Sequence, residues 1–175
     1  MSQPLLALFP DPRKLIDMSF EIQYRAGKFQ DARRFEEIDG LCFSEGIAFS
    51  SFTFRYHLKD PKSVNIVAES SGEVIGFAVG KIYRGGEATI VTVDVLPEFR
   101  RLGIGHELLS RLEEGLTSKG AAILILQVAV DNGPAIALYK KAGYKAASVL
   151  LEYYPSPNRL RGADAYLMVK YPFTE

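Results

Sequence analysis

Residues 121–130 read AAILILQVAV, an almost unbroken apolar run of strand length. A strand with one wet face alternates apolar and polar residues, whereas one covered on both faces is apolar throughout. The segments on either side are helical. Ile104, Leu108, Leu109, Leu112 and Leu116 recur at the spacing of one helix face, and Lys119-Gly120 supplies a glycine stop. Residues 131–143, DNGPAIALYKKAG, read as a shorter helix with Asn132 near the N-cap, Pro134 in the first turn and Gly143 after the end.

Other strands follow from alternation and turn residues. SFEIQYRA (19–26) alternates, SVNIVAES (63–70) and VIGFAVGKIYR (74–84) form a hairpin across SGE, and EATIVTVDVL (87–96) is stopped by Pro97. YKAASVLLEYY (144–154) and ADAYLMVKY (163–171) are two last strands around the polar loop PSPNRLRG. DARRFEEIDGLCF (31–43) predicts a helix with Asp31 as N-cap and Gly40 as stop, and SSFTFRYHL (50–58) a second, ending before Asp60-Pro61. The order β-α-α-β-β-β-α-β-α-β-β gives an α/β (α+β) domain: one mixed sheet of about seven strands with about four helices on its faces. A domain over residues 19–175 with an N-terminal extension over 1–18 is expected.

At 175 residues and 47% hydrophobic, the chain fits one core of ordinary size. Equal numbers of Lys+Arg and Asp+Glu, 21 each, leave no basic excess to displace counterions, which argues against nucleic acid as a partner. Cys42 is the only cysteine, so no internal disulfide forms, which favours a reducing compartment. No apolar run approaches the ~18–20 residues that span a bilayer. Pro4, Pro10 and Pro12 break the first apolar patch, and Arg13 and Lys14 follow it rather than precede it, unlike a secretory signal. A cytoplasmic protein with no membrane partner is expected.

PEFRRLGIGHELLSRLEE (97–114) places Arg100 and Arg101 ahead of Gly103 and Gly105 where a helix begins. Glycine costs a helix about 1 kcal/mol against alanine. A helix N-terminus presents unpaired N–H groups and the positive end of the macrodipole, and glycines admit a phosphate to the main chain. The stretch reads either as a pyrophosphate cradle or as a glycine-bearing turn with solvated arginines. It is not a Walker loop, because His106 and Glu107 follow Gly105 in place of Lys-Ser/Thr. It is not a dinucleotide fingerprint either, because Leu108 stands where the third glycine belongs.

V-x-x-P-x-x-R-R-x-G-I-G followed by a helix resembles the acetyl-coenzyme A motif of the GNAT superfamily of N-acetyltransferases, and NGPAIALYKKAGY resembles its second motif. The resemblance covers roughly residues 20 to 171 and implies a GNAT fold using acetyl-CoA. It implies that the strand backbone at Val93, Asp94 and Val95 pairs with the pantetheine arm. Arg100, Arg101, Leu102, Gly103, Ile104, Gly105 and His106 would surround the pyrophosphate, and Asn132 would bond the coenzyme beyond it. Tyr139 would lie near the sulfur and protonate the leaving thiolate, while a strand N–H, such as that of Val93, stabilises the oxyanion.

Three segments resemble protein N-terminal acetyltransferases in particular: TVDVLPEFRRLGIG, LQVAVDNGPAIALYKKAGY and EYYPSPN…GADAYLMVK. That resemblance implies a protein or peptide N-terminus as acceptor, gripped by Tyr153 and Tyr154, with Phe43 also lining the acceptor side. Phe49, Phe52 and Phe54 divide between the core and that side. A small amine is the alternative acceptor, and a catalytically weak acyl-CoA-binding sensor the alternative of another class. Either a monomer or a homodimer is compatible.

Two positions depart from these relatives. The glutamate that serves many of them as general base falls at Gln127, which takes no proton, though it can hold a water. The other base position falls at Thr89; Glu87 has its strand parity and reads first as a solvated strand-end carboxylate. Simple alternation points Asp94 to the opposite face, and a bulge would change that. An α-amine with a pKa near ~7.7–8.0 is partly neutral at physiological pH, so a strong base is not required. His57 and His106 lack partners at metal-ligand spacing, so no metal is expected. Cys42 reads as a small core residue, and Arg33, Arg34, Glu36 and Glu37 as a solvated helix face.

Overall fold

The computed structural model describes residues 21–43, 47–155 and 162–172. The expected N-terminal extension and most of the 155–162 loop lie outside them. In chain order the elements are β1 (Ile22–Ala26), α1 (Ala32–Cys42), α2 (Ser51–Lys59), β2 (Ser63–Ser70), β3 (Glu73–Ile82), β4 (Glu87–Val95), α3 (Ile104–Ser118), β5 (Ile123–Ala129), α4 (Gly133–Lys141), β6 (Lys145–Tyr154) and β7 (Ala163–Lys170). Short 3-10 turns precede α1 and follow β4. The expected order of elements is the observed one.

The seven strands form one sheet in the order β1-β2-β3-β4-β5-β7-β6. Every neighbouring pair is antiparallel except β4 and β5. On one face, Phe77 of β3 stacks on Phe35 of α1 with ring centroids 4.0 Å apart and meets Phe54 of α2 edge-on at 5.3 Å. On the other face α3 presses its leucines onto the sheet. A Cβ at Gly76 would lie 3.3 Å from Leu108 and 2.7 Å from the Asp94 carbonyl oxygen, so only glycine lets the helix and the β3–β4 pair approach this closely. Burial of Leu108, Leu109, Leu112 and Leu116 fills that side of the core, at roughly 1.5–3 kcal/mol for each large apolar side chain.

Three local expectations need correction. Gly40 does not end α1, which runs on to Cys42; Gly40 is exposed with nothing within 4 Å of a would-be Cβ, and an exposed glycine weakens a helix without breaking it. Asp31 stands at the N-cap position but its side chain caps nothing in α1. Its carboxylate accepts instead from Arg25 at 2.7 and 3.0 Å and from the Lys28 N–H, tying the helix start to β1. Of the helix-face cluster, Arg34 is not simply solvated, because its Nε donates to the Val74 carbonyl at 3.2 Å.

Asp94 does not follow simple alternation. Val79 is opposite Thr92 and Gly80 opposite Ile90, so Val91 is an extra residue in β4. Beyond this bulge Phe77 is opposite Asp94, and before it Lys81 is opposite Thr89. Directly opposed residues share a face. Thr89, Thr92 and Asp94 therefore all face α1 and α2, although their sequence parity differs.

Candidate active site

β4 and β5 part company early. Their pairing is confined to Glu87–Ile123, Ala88–Leu124 and Thr89–Ile125, after which β5 continues with β7 alone. A cleft opens in the sheet between the far half of β4 and the far half of β5. The Leu96 N–H bonds Ile75 on the β3 side, and Asp94 is paired with Phe77. By the alternation of an antiparallel ladder, the N–H and C=O groups of Val93 and Val95 then point into the cleft. Asp94 does not share that orientation, because its carbonyl is turned toward Gly76. The expectation that all three residues offer main chain on this edge is corrected to Val93 and Val95.

The start of α3 closes one end of this cleft. Arg101 (φ 64°) and Gly103 (φ 81°) are both left-handed, which turns successive N–H groups inward and forms an anion-binding nest. Among the described residues, the first main-chain N–H of the helix to find a carbonyl is that of Glu107, which bonds Gly103. The N–H groups of residues 101–106 find no acceptor among the described residues and sit at the positive end of a 15-residue helix. Nothing lies within 4 Å of a would-be Cβ at Gly103, and at Gly105 only Leu138 (3.7 Å) and Val95 (3.8 Å) do. Packing within the protein thus gives no reason for glycine at 105. A phosphate brought against the main chain does. Of the expected cradle, Leu102 and His106 are exposed on its rim and Ile104 is buried in the core.

Arg100 is placed differently from Arg101. Its Nε donates to the Val95 carbonyl at 3.0 Å and its Nη2 reaches Cys42 Sγ at 3.3 Å, so the side chain braces the end of β4. Its own N–H bonds the Pro97 carbonyl. Burial, with the nearby Asp94 charge, pushes the Cys42 thiol up to about 11, so it stays a thiol, as expected of a core cysteine.

Side chains of α4 and β6 meet at the β5 side of the cleft. Tyr139 of α4 is buried, packs edge-on against Tyr144 at 5.8 Å, and has its pKa raised by burial and then by the charges of Asp94 and Tyr154. Tyr154 of β6 donates to the main-chain carbonyl of Gln127 in β5 at 3.0 Å, and burial pushes its pKa to about 12. Tyr153 stands perpendicular to Tyr154, 4.9 Å away, and is exposed. The β6–β7 register breaks between Leu150 and Tyr154, and Glu152 is left-handed (φ 52°) with its N–H on the Asp164 carboxylate, which turns both tyrosines onto this end of the hairpin. Asn132 accepts from the Ala135 N–H at 3.2 Å, capping α4. Phe43 is half-buried just past α1, Phe54 and Phe49 join the aromatic core, and Phe52 is solvent-exposed.

The splayed sheet and the glycine-bearing start of α3 lie within the segment that the acetyltransferase resemblance covers. Residues 32–144 match the model of the Acetyltransferase (GNAT) family. The chain belongs to the GNAT family. It is 34% identical over 160 residues to an N-alpha-acetyltransferase of Sulfurisphaera tokodaii, spanning 85% of this chain and 92% of that one. It is also 34% identical over 93 residues to the [Ribosomal protein bS18]-alanine N-acetyltransferase of Escherichia coli, covering 53% of this chain and 62% of that enzyme. Among solved structures it superimposes on Ard1 from Thermoplasma volcanium with a TM-score of 0.75 at 27% identity, covering 86% and 97% of the two chains. A putative acetyltransferase from Salmonella typhimurium, solved with acetyl-CoA, shares the fold at a TM-score of 0.76 and 18% identity.

As a GNAT acetyltransferase the protein takes acetyl-CoA as its acyl donor, and the nest and the open β4 edge fit a diphosphate and an extended amide arm. No helix among the described residues is long and apolar enough to cross a membrane.

Two buried carboxyl groups were missed in the sequence: Asp39 of α1, and the side chain of Asp94. Both are buried, at 0% and 1% exposure. Their signal was present, since Asp39 shares the apolar helix face of Phe35 and Ile38, and Asp94 interrupts an apolar strand. Glu87, by contrast, is exposed where β4 and β5 are still paired, roughly 23 Å along the strand from Asp94.

Proposed function

We propose that this GNAT enzyme transfers the acetyl group of acetyl-CoA to the N-terminal α-amine of a protein or peptide. The reading rests above all on the Tyr153–Tyr154 pair at the cleft mouth. An extended peptide offers main-chain donors and acceptors along its length, and two phenols flanking the cleft suit it better than a compact small amine. The names of relatives similar over most of the chain support the same acceptor class.

In this reading the N–H groups of residues 101–106 bind the pyrophosphate, Val93 and Val95 pair with the pantetheine amides, and the exposed Arg101 adds positive charge. Asn132 contributes its remaining amide to the coenzyme while capping α4. The acceptor amine forms its bond to the thioester carbonyl carbon directly, a main-chain N–H of β4 steadies the oxygen, and Tyr139 gives its phenol proton to the departing sulfur. Its raised pKa keeps that proton in place until the thiolate forms. Gln127 holds the hairpin through its carbonyl and takes no proton. The domain of residues 19–175 works in the cytoplasm, where acetyl-CoA and new protein N-termini meet.

Release of free thiol from acetyl-CoA, measured with short peptides of varied first residue beside polyamines and free amino acids, tests this. Turnover on particular peptide N-termini is the expected result. Turnover on small amines alone overturns the acceptor class, and tight acetyl-CoA binding without turnover on any acceptor points to a sensor.

A further inference from the structure

Asp39 and Asp94 lie on either side of the α1–β4 contact, on the face of the sheet that packs α1 and α2. Asp94 Oδ2 accepts from the Thr92 hydroxyl at 2.8 Å, and Asp39 Oδ2 from the Phe49 N–H at 2.6 Å. Neither carboxyl forms an ion pair among the described residues. Asp39 Oδ1 is buried and has no donor. Each carboxyl makes the other harder to ionise across the α1–β4 contact, beyond what burial does. Two carboxylates buried side by side repel each other, so the pair takes up a first proton more readily than an ordinary carboxylate does, and its doubly ionised form is the base.

The groups around the pair are few. From α1 come Asp39 itself and the Cys42 thiol, from β4 the Thr92 hydroxyl, and from β3 the apolar Phe77. From α4 comes the phenol of Tyr139, and from the loop after β4 the Arg100 guanidinium, which touches Cys42 rather than either carboxyl. The bulge at Val91 brings Asp94 to this face, where its charge is felt by the proposed proton donor Tyr139.

We propose that the Asp39–Asp94 carboxyl pair takes the proton from the acceptor amine, with Asp94 as the member that receives it. This rests on the acetyl-transfer reading of the same cleft. An N–H bond of the acceptor ammonium breaks and an O–H bond forms on Asp94, leaving the nitrogen lone pair free. The nitrogen–carbon bond forms, the carbon–sulfur bond breaks with its electron pair on sulfur, and sulfur takes the Tyr139 proton. The second nitrogen proton restores Tyr139, and the one on Asp94 passes to solvent, so the turnover releases one proton overall. An ordinary aspartate is about 4 pKa units too acidic to take a proton readily from an α-ammonium. Burial, and then the charge of Asp39, raise Asp94 well above that ordinary value and narrow the mismatch.

The test is the pH dependence of kcat/KM, with the full chain and a peptide acceptor, for wild type, Asp94→Asn and Asp39→Asn, with acetyl-CoA affinity measured alongside. Asparagine at 94 still accepts from Thr92 and can donate to Asp39, so a purely structural hydrogen bond survives the change. The expected result is a loss of about 100-fold or more in kcat, the range of a lost general base. Acetyl-CoA affinity should stay within about threefold, and activity should rise with pH along the amine's own titration. Asp39→Asn, which removes the repelling charge, should move the acidic limb to lower pH. Asp94→Asn activity within twofold of wild type with an unchanged profile overturns the proposal. If that variant does not fold, an acidic limb unmoved in Asp39→Asn overturns it instead. A wild type that binds acetyl-CoA but acetylates nothing removes the transfer reading and the proposal together.

Discussion

The two ends of the cleft are built from different materials. At the proposed coenzyme end the groups on offer are main-chain N–H groups, set by two left-handed residues and a helix start. At the proposed acceptor end they are side chains, namely Tyr139, Tyr154, Asp94 and Asp39, from α4, β6, β4 and α1. A main-chain site depends on backbone angles and tolerates changes of side-chain identity wherever those angles survive. A side-chain site depends on single atoms and tolerates almost none.

The largest effect separating the two ends is expected at Tyr139. Tyr139→Phe keeps the buried ring and its packing on Tyr144 but removes the proposed donor for the thiolate. Its kcat should fall by about 100-fold or more while the Kd for acetyl-CoA changes little. Rapid-quench and equilibrium binding measurements read the two separately. Equal kcat would remove Tyr139 from the chemistry.

Gly103→Val should do the reverse. A β-branched residue at φ 81° is strained by about 1–3 kcal/mol, and relief of that strain would turn the N–H groups of the nest outward. Acetyl-CoA affinity should fall by at least about tenfold, with a lower Tm, while kcat at saturating acetyl-CoA stays within a few-fold. Arg101→Ala should weaken affinity less, because its exposed charge is screened by salt. If Arg101→Ala proved the more damaging change, the coenzyme end would be a side-chain site after all.

The acid pair should also be visible in stability. Both carboxyls titrate above the ordinary carboxylate value, Asp39 chiefly through burial and Asp94 through burial and then the charge of Asp39. The folded state therefore holds protons that the unfolded chain releases near pH ~3.9. Stability from this source is present below about pH 4 and is lost as pH rises through the raised folded values. Asp94→Asn removes the coupling, so its Tm should gain on wild type from pH 4 upward. A Tm difference that stays constant across the pH series would show that the two carboxyls do not repel each other.

The same contrast explains what was legible in the sequence. The helix starts and stops at Asn132, Gly120 and Gly143 and the glycines ahead of α3 are local patterns, read within a few residues. The apolar run of β5, by contrast, overstated its cover: Leu124, Leu126 and Val128 are buried and the residues between them only partly so. The acid pair is not local, since α1 and β4 meet only after the sheet forms. The bulge at Val91 then reverses the face that alternation assigns to Asp94, and no local residue marks the bulge. Gly40 misled for a related reason: a glycine signals permission to stop a helix, and the apolar stripe of Phe35 and Ile38 packed on Phe77 overrides it. Arg100 misled because its charge was visible in the sequence while its partner, a carbonyl at the end of β4, was not.

The smallest expected effect is the most diagnostic of why the coenzyme end has its composition. Gly105 lies inside α3, where alanine is favoured by about 1 kcal/mol, and the nearest atoms to a new Cβ sit at ordinary contact distance. Gly105→Ala should therefore raise stability in the absence of coenzyme by about that amount, measured by denaturant unfolding, while raising the KM for acetyl-CoA by a few-fold. The stability gain shrinks when acetyl-CoA is present, because coenzyme that binds the variant less tightly stabilises it less. A variant stabilised equally with and without acetyl-CoA would mean that the main chain at 105 never meets the phosphate and that the nest ends one residue earlier. A variant destabilised without coenzyme would place the reason for the glycine in the protein's own packing.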